Sequence, residues 1–286
     1  MKEKLTKYLL VLNVLMLLQN TGCNKITKSI YADLESEKSI SYNIPKGHRP
    51  KTIPESVSLE EEIDNIIEIT MSFAGDCTLG EGHNFGYYNS FTSVFDEVQD
   101  YSYFLKNVVP IFENDDYTIV NLEGVLSDTA KSYATKQFIF KGPTAYTNIL
   151  TSSSVEAVTI ANNHIMDYLS KGYEDTKEAL DEAQIVYFGG NTIAIENIKG
   201  IDFGFVGISF GNKSDIDKSI AYLNEKGIKN IIFYFHWGIE RDYKQNSQQE
   251  SLARYAIDNG ATLVVGAHPT FFKELSTIKI NILYIH

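Results

Sequence analysis

The sequence predicts a layered α/β fold, in which a sheet sandwich lies between layers of helices. Two observations carry this prediction. From Ile66 onward, short apolar runs alternate with amphipathic stretches of helical period, which is typical of α/β layer structures. Several of the apolar runs are nearly continuous rather than alternating, as expected for strands that are covered on both faces.

The predicted elements alternate along this part of the chain. Strands are expected at Ile67–Ala74, Tyr117–Asn121, Val155–Ala161, Ile185–Phe188, Phe203–Ser209, Asn230–Phe235 and Thr262–Val265. Helices are expected at Tyr103–Glu113, Thr144–Ser153, Gly172–Ala183, Ile216–Lys226 and Ser247–Asn259. Each strand is therefore followed by a segment long enough to cross back over a sheet.

The composition excludes several classes of protein. With 43% hydrophobic and 22% charged residues among 286, the chain is neither disordered, collagenous nor a multi-span membrane protein. A formal net charge of -12 excludes a bulk nucleic-acid binder, because no basic excess exists to neutralise phosphates. The same charge would repel a polyanionic polymer unless a local basic patch or a metal ion intervenes. The two cysteines, Cys23 and Cys77, cannot form a disulfide framework.

Residues 1–23 have the pattern of an export signal. Lysines open the chain, and the apolar run Tyr8–Leu18 is too short for a membrane span of about 20 residues but suits a signal peptide. Thr21-Gly22-Cys23 resembles the end of a bacterial lipobox, in which cleavage leaves a lipidated Cys23. We therefore expect an exported protein, held by a lipid or signal anchor at the outer face of the cell membrane.

Alternatives remain for this segment, because Asn20 stands where a lipobox usually has leucine. A plain secretory signal, a retained N-terminal anchor and an apolar helix of the folded domain are the other interpretations. Residues 24–63 are polar and irregular, with three prolines, and are predicted to be a tether. The folded domain is then expected to occupy residues 64–286.

Five predicted strands end directly at side chains that can bind metal ions or transfer protons. In open α/β sheets, ligands bind beyond the carboxyl ends of the strands, so this recurrence is the strongest functional signal in the sequence. Three of the six histidines fall at such strand ends. The five segments are Gly75-Asp76, Asn121-Leu122-Glu123, Asn162-Asn163-His164, His236-Trp237-Gly238 and Gly266-Ala267-His268.

Each segment suits a cation, and each also has a plainer structural explanation. Asp76 follows a glycine at a strand tip, although Gly-Asp is also a common turn. Asn121 and Glu123 lie on the same side of an extended segment, although Asn121 could simply close the turn. A lone histidine such as His236 is more often a structural residue, and its neighbour Trp237 could equally pack in the core or form a pocket wall.

The Asn162-Asn163-His164 segment is the hardest to explain structurally. Two amides and an imidazole are poor strand and helix formers, but they suit a carboxamide ligand beside a histidine acid or base. An asparagine helix cap would explain either amide but not His164 as well. Asp167 follows closely enough to act together with this histidine.

In order and approximate spacing, these segments resemble the CapA family, which is associated with poly-γ-glutamate capsule synthesis. That family is similar in fold to calcineurin-like metallophosphoesterases, so the resemblance implies an α/β/β/α sandwich. It covers about Ile67 to Pro269. Further matching segments are Asp167-Tyr168, Glu240, Phe140-Lys141-Gly142-Pro143 and Gly189-Gly190-Asn191.

The resemblance also implies residue roles. One or two divalent ions would be held by five ligands, namely Asp76, Glu123, Asn163, His236 and His268. Mixed oxygen and nitrogen donors suit manganese, iron or zinc better than calcium. His164 would be a catalytic acid with Asp167 beside it. Substrate contacts are expected from Asn121, Asn162, Trp237 and Glu240.

The sequence departs from the pattern at two positions. Thr78 stands where phosphoesterases carry a histidine, as is usual in the CapA branch, and Thr270 stands where both groups place a second late histidine. Beyond Pro269 the resemblance ends. We therefore expect a domain that is incomplete at its C-terminus through truncation or a frameshift, with one metal ligand lost.

Three functions are consistent with these observations. The first is a surface-anchored accessory protein in capsule or poly-γ-glutamate biosynthesis or export, with partners among the polyglutamate synthase and export components. The second is a metal-dependent hydrolase of a phosphoester or related bond, with His164 protonating the leaving group. The third is a catalytically inactive binding module that uses the same cleft.

Overall fold

The structure of the chain is a computed structural model that describes residues 6–10, 67–130, 135–242, 244–268 and 284–285, the first and last of these ranges by backbone alone. The predicted tether, Cys23 and Thr270 lie outside the described residues. Within the predicted signal, Thr6–Leu10 (β1) forms a strand that pairs with Ile67–Ile69 (β2) and with Tyr284–Ile285 (β14). Among the described residues, no helix is long and apolar enough to cross a bilayer.

Two four-stranded sheets form the centre of the domain. The first has the order β3-β5-β8-β9 and is parallel throughout. The second has the order β10-β11-β12-β13, with β10 antiparallel and the other three strands parallel. The strands of the first sheet are Met71–Cys77 (β3), Tyr117–Leu122 (β5), Ala157–Thr159 (β8) and Val186–Phe188 (β9). Those of the second are Ile193–Ile198 (β10), Ile201–Ser209 (β11), Asn230–His236 (β12) and Leu263–Ala267 (β13).

The helices and a second three-stranded sheet complete the described elements. The helices are Phe91–Val98 (α1), Val109–Phe112 (α2), Thr147–Thr151 (α3), Leu169–Glu182 (α4), Lys213–Glu225 (α5) and Ser247–Asp258 (α6). Single 3-10 turns lie at Tyr101–Tyr103 and Thr144–Tyr146. The small sheet joins Glu81–Gly82 (β4), Phe140–Gly142 (β7) and Val125–Leu126 (β6).

The two sheets pack face to face, and helices cover their outer faces. Ile119 and Tyr234, from the two central strands β5 and β12, lie in the same inter-sheet core. Val120, one residue along β5, packs instead with the helices of the first sheet, and Phe233 packs with α5 and α6. This alternation of buried side chains explains why both strands are apolar throughout. The predicted α/β/β/α sandwich is confirmed.

Six predicted strands match single strands of the structure, but the predicted strand Ile67–Ala74 is divided into β2 and β3, which lie in different sheets. The first helix was also predicted wrongly. Tyr103–Glu113 is not one helix: a 3-10 turn ends at Tyr103, and α2 begins only at Val109. Pro110 explains the difference. It has no N–H to donate and lies in the first turn of α2, where that donor is not needed. The helix α1 and the strands β1, β4, β6, β7, β10 and β14 were not predicted.

Candidate metal centre

The strand ends singled out in the sequence meet at one rim of the sandwich. β3, β5 and β8 run parallel in the first sheet, and β12 and β13 run parallel in the second, so their carboxyl ends point the same way within each sheet. Asp76 and His236 link the two sheets, with 3.7 Å between the Oδ1 of Asp76 and the Nδ1 of His236. The five predicted ligands are therefore brought together, although they are spread over almost two hundred residues of sequence.

His236 lies at the centre of this rim and is fully buried. Its Nδ1 is 3.1 Å from the amide nitrogen of Asn121, which can only donate, so Nδ1 accepts this bond. Its Nε2 therefore carries the proton and donates to the amide oxygen of Asn163 at 2.6 Å. Burial, followed by the neighbouring His268 and His164, lowers the pKa of His236 to about 3. The imidazole is thus held neutral, which is the form that binds metals, and an ion would take one ring nitrogen in place of its amide partner.

Two carboxylates lie close to this histidine, one near each ring nitrogen. Glu123 Oε1 lies 3.7 Å from His236 Nε2, and Asp76 Oδ1 lies on the Nδ1 side. Burial raises the pKa of Glu123 to about 8, with further contributions from Asp76, Glu240 and Asp167. Burial also raises the pKa of Asp76, against the hydrogen bond from Asn121 at 2.7 Å. Burial therefore disfavours the ionised form of both carboxyl groups, and for Glu123 the neighbouring carboxylates add to this effect.

A divalent cation fits this arrangement. Glu123, His236 and His268 each offer one ligand atom, and these atoms lie within 4.8 Å of one another. Carboxylate oxygen and imidazole nitrogen together suit borderline divalent ions, and a cation would relieve the repulsion between Glu123 and Asp76. His268 has φ 95°, which is unusual for a residue with a side chain and marks local strain at the rim.

Asp76 and Asn163 border this triad rather than belonging to it. Asp76 accepts the backbone N–H of His268 at 3.2 Å as well as the amide of Asn121. The amide oxygen of Asn163 is occupied by His236. Both residues are near enough to act as ligands or to orient them, and their ligand roles stay predictions.

His164 and Asp167 form a second group at the outer side of the same rim. Nδ1 of His164 lies 2.8 Å from Oδ2 of Asp167, and Nε2 lies 3.8 Å from Oε1 of Glu123. Asp167 is buried and also accepts the backbone N–H of Phe140 at 2.7 Å. A carboxylate on one ring nitrogen orients the imidazole and leaves the other nitrogen facing the candidate metal centre.

The predicted substrate contacts Asn121 and Asn162 lie deeper than expected. The Asn162 amide donates to the Asn121 side chain at 3.0 Å and to the Leu122 carbonyl at 2.8 Å, and its oxygen accepts from the His164 backbone at 3.0 Å. Both asparagines are at least 95% buried. This placement gives them a positioning role, and direct contact with a substrate stays a prediction.

Trp237 and Glu240 follow the same strand, but the first is buried and the second is exposed. Trp237 is buried in the core beneath α5 and α6, stacked on Phe235 with 4.0 Å between ring centroids. This is the packing role that the sequence left open. Glu240 is exposed, and its charge contributes to the raised pKa of Glu123.

Lys136 was missed by the sequence analysis. Its ammonium group contacts the Asp167 carboxylate and donates to the backbone carbonyl of Asn163 at 2.6 Å. It follows no strand end and belongs to no recognisable motif, so no local pattern could have identified it. The only nearby signal was the Phe140-Lys141-Gly142-Pro143 segment, which brings Phe140 to the His164 ring at 4.5 Å.

Comparisons with known proteins found one family model and two relatives that match this chain. Residues 70–284 match the family model described as "Bacterial capsule synthesis protein PGA_cap", so the match extends beyond Pro269, where the sequence resemblance ended. The chain is 26% identical over 249 residues to the capsule biosynthesis protein CapA of Bacillus anthracis, covering 76% of this chain and 58% of that protein. It is 26% identical over 242 residues to the PGA biosynthesis protein CapA of Bacillus subtilis strain 168, covering 76% and 61%. It thus spans about three fifths of the length of these relatives.

Proposed function

The chain belongs to the bacterial capsule synthesis protein family, and from this premise we propose that it serves the synthesis or export of a capsular polymer of the poly-γ-glutamate type. The names of the two relatives support this class of polymer. The export pattern of residues 1–23 supports a place at the outer face of the membrane, anchored through Cys23 or the signal itself. Polyglutamate synthase and export components are the expected partners.

The observation that carries a chemical role is the convergence of Glu123, His236 and His268 at one rim. We propose that this rim binds one or two divalent ions, with manganese, iron or zinc favoured by the mixed donors. A bound ion would supply Lewis-acid activation and neutralise negative charge on an acidic protein. This offers a way for an acidic chain to approach a polyanion or a phosphorylated precursor.

A hydrolytic activity is the second candidate, and the His164–Asp167 pair favours it. Asp167 holds Nδ1 of His164, so that Nε2 faces the cleft next to Glu123. In this arrangement Nε2 can hold a proton and donate it to a leaving group, while Lys136 fixes Asp167 from its other oxygen. A phosphoester or a related bond is the expected substrate class. If the His164–Asp167 pair has no catalytic effect, the cleft belongs to a binding module without turnover.

The capsule proposal is tested by deleting the gene in its own host and measuring cell-bound glutamate polymer after acid hydrolysis. We expect the polymer to be lost, and to return with the wild-type gene but not with Glu123→Gln. Glu250→Gln is the matched control, because it removes the same charge from an exposed pair with Arg254. Unchanged polymer in the deletion strain would show that the capsule proposal is wrong.

The choice between enzyme and accessory protein needs the purified full chain. Bound metal is measured by elemental analysis, and turnover is measured on a generic phosphodiester with each divalent ion. For an enzyme, His164→Ala should lower turnover by about 100-fold or more while bound metal stays constant. His83→Ala is the control, because His83 is exposed and lies outside the rim. If the chain binds metal but shows no turnover that depends on His164, the accessory role is the only candidate that remains.

A further inference from the structure

A second concave site lies beside the candidate metal centre, in the part of the chain that the structure describes. It is a cavity of about 590 Å³ whose walls include four aromatic rings. The rings belong to Phe85, Tyr88, Phe91 and Phe140. Phe85 packs edge-on against Phe140 at 6.3 Å and against Phe138 at 6.4 Å. The cavity is therefore an aromatic pocket, and this name is used for it below.

The aromatic rings at its mouth are unusually exposed. Tyr88 is 89% exposed and Phe85 is 55% exposed, so apolar surface that folding could have buried is left in contact with water. The Phe85 ring packs directly on the backbone of Gly82. A Cβ atom at Gly82 would lie only 3.0 Å from this ring, so the glycine leaves the space that the ring occupies. Clustered exposed aromatic side chains are typical of binding sites, where a ligand covers them.

The pocket also contains a carboxylate that lacks a partner on one side. Glu81 lines the pocket, and its Oε2 is buried without a hydrogen-bond partner. The negative charge of Glu81 is therefore not fully compensated by its own neighbours, which favours a cation in the pocket. Lys141 lies opposite Glu81 on the neighbouring strand. Its ammonium group lies over the Tyr168 ring, 4.7 Å from the ring centroid.

The charge around the pocket is negative. Among the lining residues that the structure describes, none is lysine, arginine or histidine. Next to the lining, Tyr87 donates to the carboxylate of Asp96 at 2.8 Å, which is a further acidic group. A carboxylate or phosphate group would be repelled here. A cation would gain both the Glu81 carboxylate and the negatively charged faces of the aromatic rings.

We propose that the aromatic pocket binds an organic cation, a quaternary ammonium group, next to the candidate metal centre. Phe140 connects the two sites, because it lines the pocket and contacts the His164 ring at 4.5 Å. A ligand whose ammonium occupies the pocket would extend its remaining part toward His164 and Glu123. Binding in the pocket needs neither a metal ion nor turnover, so this proposal stands apart from the proposed function.

The test uses the metal-free full chain with choline as the probe, measured by calorimetry and by saturation-transfer NMR. The comparison probe is the uncharged isostere of choline, in which carbon replaces the quaternary nitrogen. We expect choline to bind in the millimolar range typical of small fragments, and the neutral isostere to bind about tenfold more weakly. Glucose, a neutral polyol, should not compete.

Two variants locate the site. Glu81→Gln should weaken choline binding by about tenfold, and Phe85→Leu should weaken it by about threefold or more. Glu97→Gln removes the same charge from an exposed position on α1 outside the lining and should leave binding unchanged. Circular dichroism confirms that each variant is folded.

Several results would overturn the proposal. Equal binding of choline and its neutral isostere would remove the role of charge, and binding that is insensitive to Glu81→Gln would place the ligand elsewhere. Competition by glucose would make the pocket a polyol site. Absence of choline binding up to about 50 mM would show that no such site exists, because even weak fragment sites fill at that concentration.

Discussion

The inner and outer halves of the rim each contain one buried histidine, but the two are surrounded by different chemistry. His236, in the inner half, is held between the neutral amides of Asn121 and Asn163. His164, in the outer half, is held by the Asp167 carboxylate, which Lys136 contacts in turn. Neutral amides fix the position of the His236 ring by hydrogen bonds alone, whereas Asp167 places a carboxylate oxygen 2.8 Å from Nδ1 of His164.

This difference supports the proposed division of work between the two rings, in which one binds metal and the other transfers protons. His236 is a neutral nitrogen donor with a pKa lowered to about 3, as a metal ligand requires. His164 is oriented by a carboxylate, as a proton-transferring histidine requires. Glu123 lies between them, 3.7 Å from one ring and 3.8 Å from the other, and can serve both.

The largest expected effect is a difference in metal affinity between variants of the two histidines. His236→Ala should weaken the binding of manganese or zinc by about 100-fold or more, because it removes a donor from the centre of the rim. His164→Ala should change that affinity by less than about threefold. Equilibrium dialysis with elemental analysis measures both, and His83→Ala is the control. If the two variants lost metal equally, the division into inner and outer halves would be wrong.

The next effect is the pH dependence that Glu123 gives to metal binding. Its pKa of about 8 means that it keeps its proton below that pH and must lose it to bind an ion. Metal affinity should therefore rise about tenfold per pH unit up to about pH 8 and then level off. His236 does not compete, because its pKa lies near 3.

The same pKa predicts an opposite trend for the metal-free protein. Between the ordinary value of 4.5 and about 8, Glu123 is protonated in the folded chain and ionised in the unfolded chain. The folded state then holds more protons, so the free energy of unfolding falls as the pH rises through this window. Glu123→Gln should flatten both trends. Urea titrations and dialysis at several pH values give the two slopes, and a flat wild-type profile would contradict the assignment.

The smallest effect concerns Lys136 in the outer half. Lys136→Met removes the cation that contacts buried Asp167 and supports the Asn163 carbonyl. We expect the free energy of unfolding to fall by about 1–2 kcal/mol and any turnover to fall a few-fold, with metal affinity little changed. Lys177→Met is the matched control, since its partner Glu174 is exposed. If Lys136→Met lowered metal affinity more than it lowered turnover, Lys136 would belong to the inner half of the rim.

Much of the fold was readable from the sequence because its signals are local. Continuous apolar runs such as β12 identify strands that are covered on both faces, and Asp76, Glu123 and His236 follow such runs directly. The exceptions have local causes as well. Pro110 divides the helix predicted at Tyr103–Glu113, and the strands β4, β6 and β7 are too short to carry a pattern.

The sequence by itself therefore determined the layers of the sandwich and the side chains delivered to the rim, because parallel strands bring their carboxyl ends to one edge. Only the tertiary structure decided which atoms meet. Asp76 and His268 are 192 residues apart, and their contact depends on how the two sheets pack against each other. The same packing decided that Trp237 lies in the core, that Lys136 reaches Asp167, and that Glu81 lies in an aromatic pocket. Contacts of this kind depend on the positions of whole sheets and loops, and no local pattern of residues encodes them.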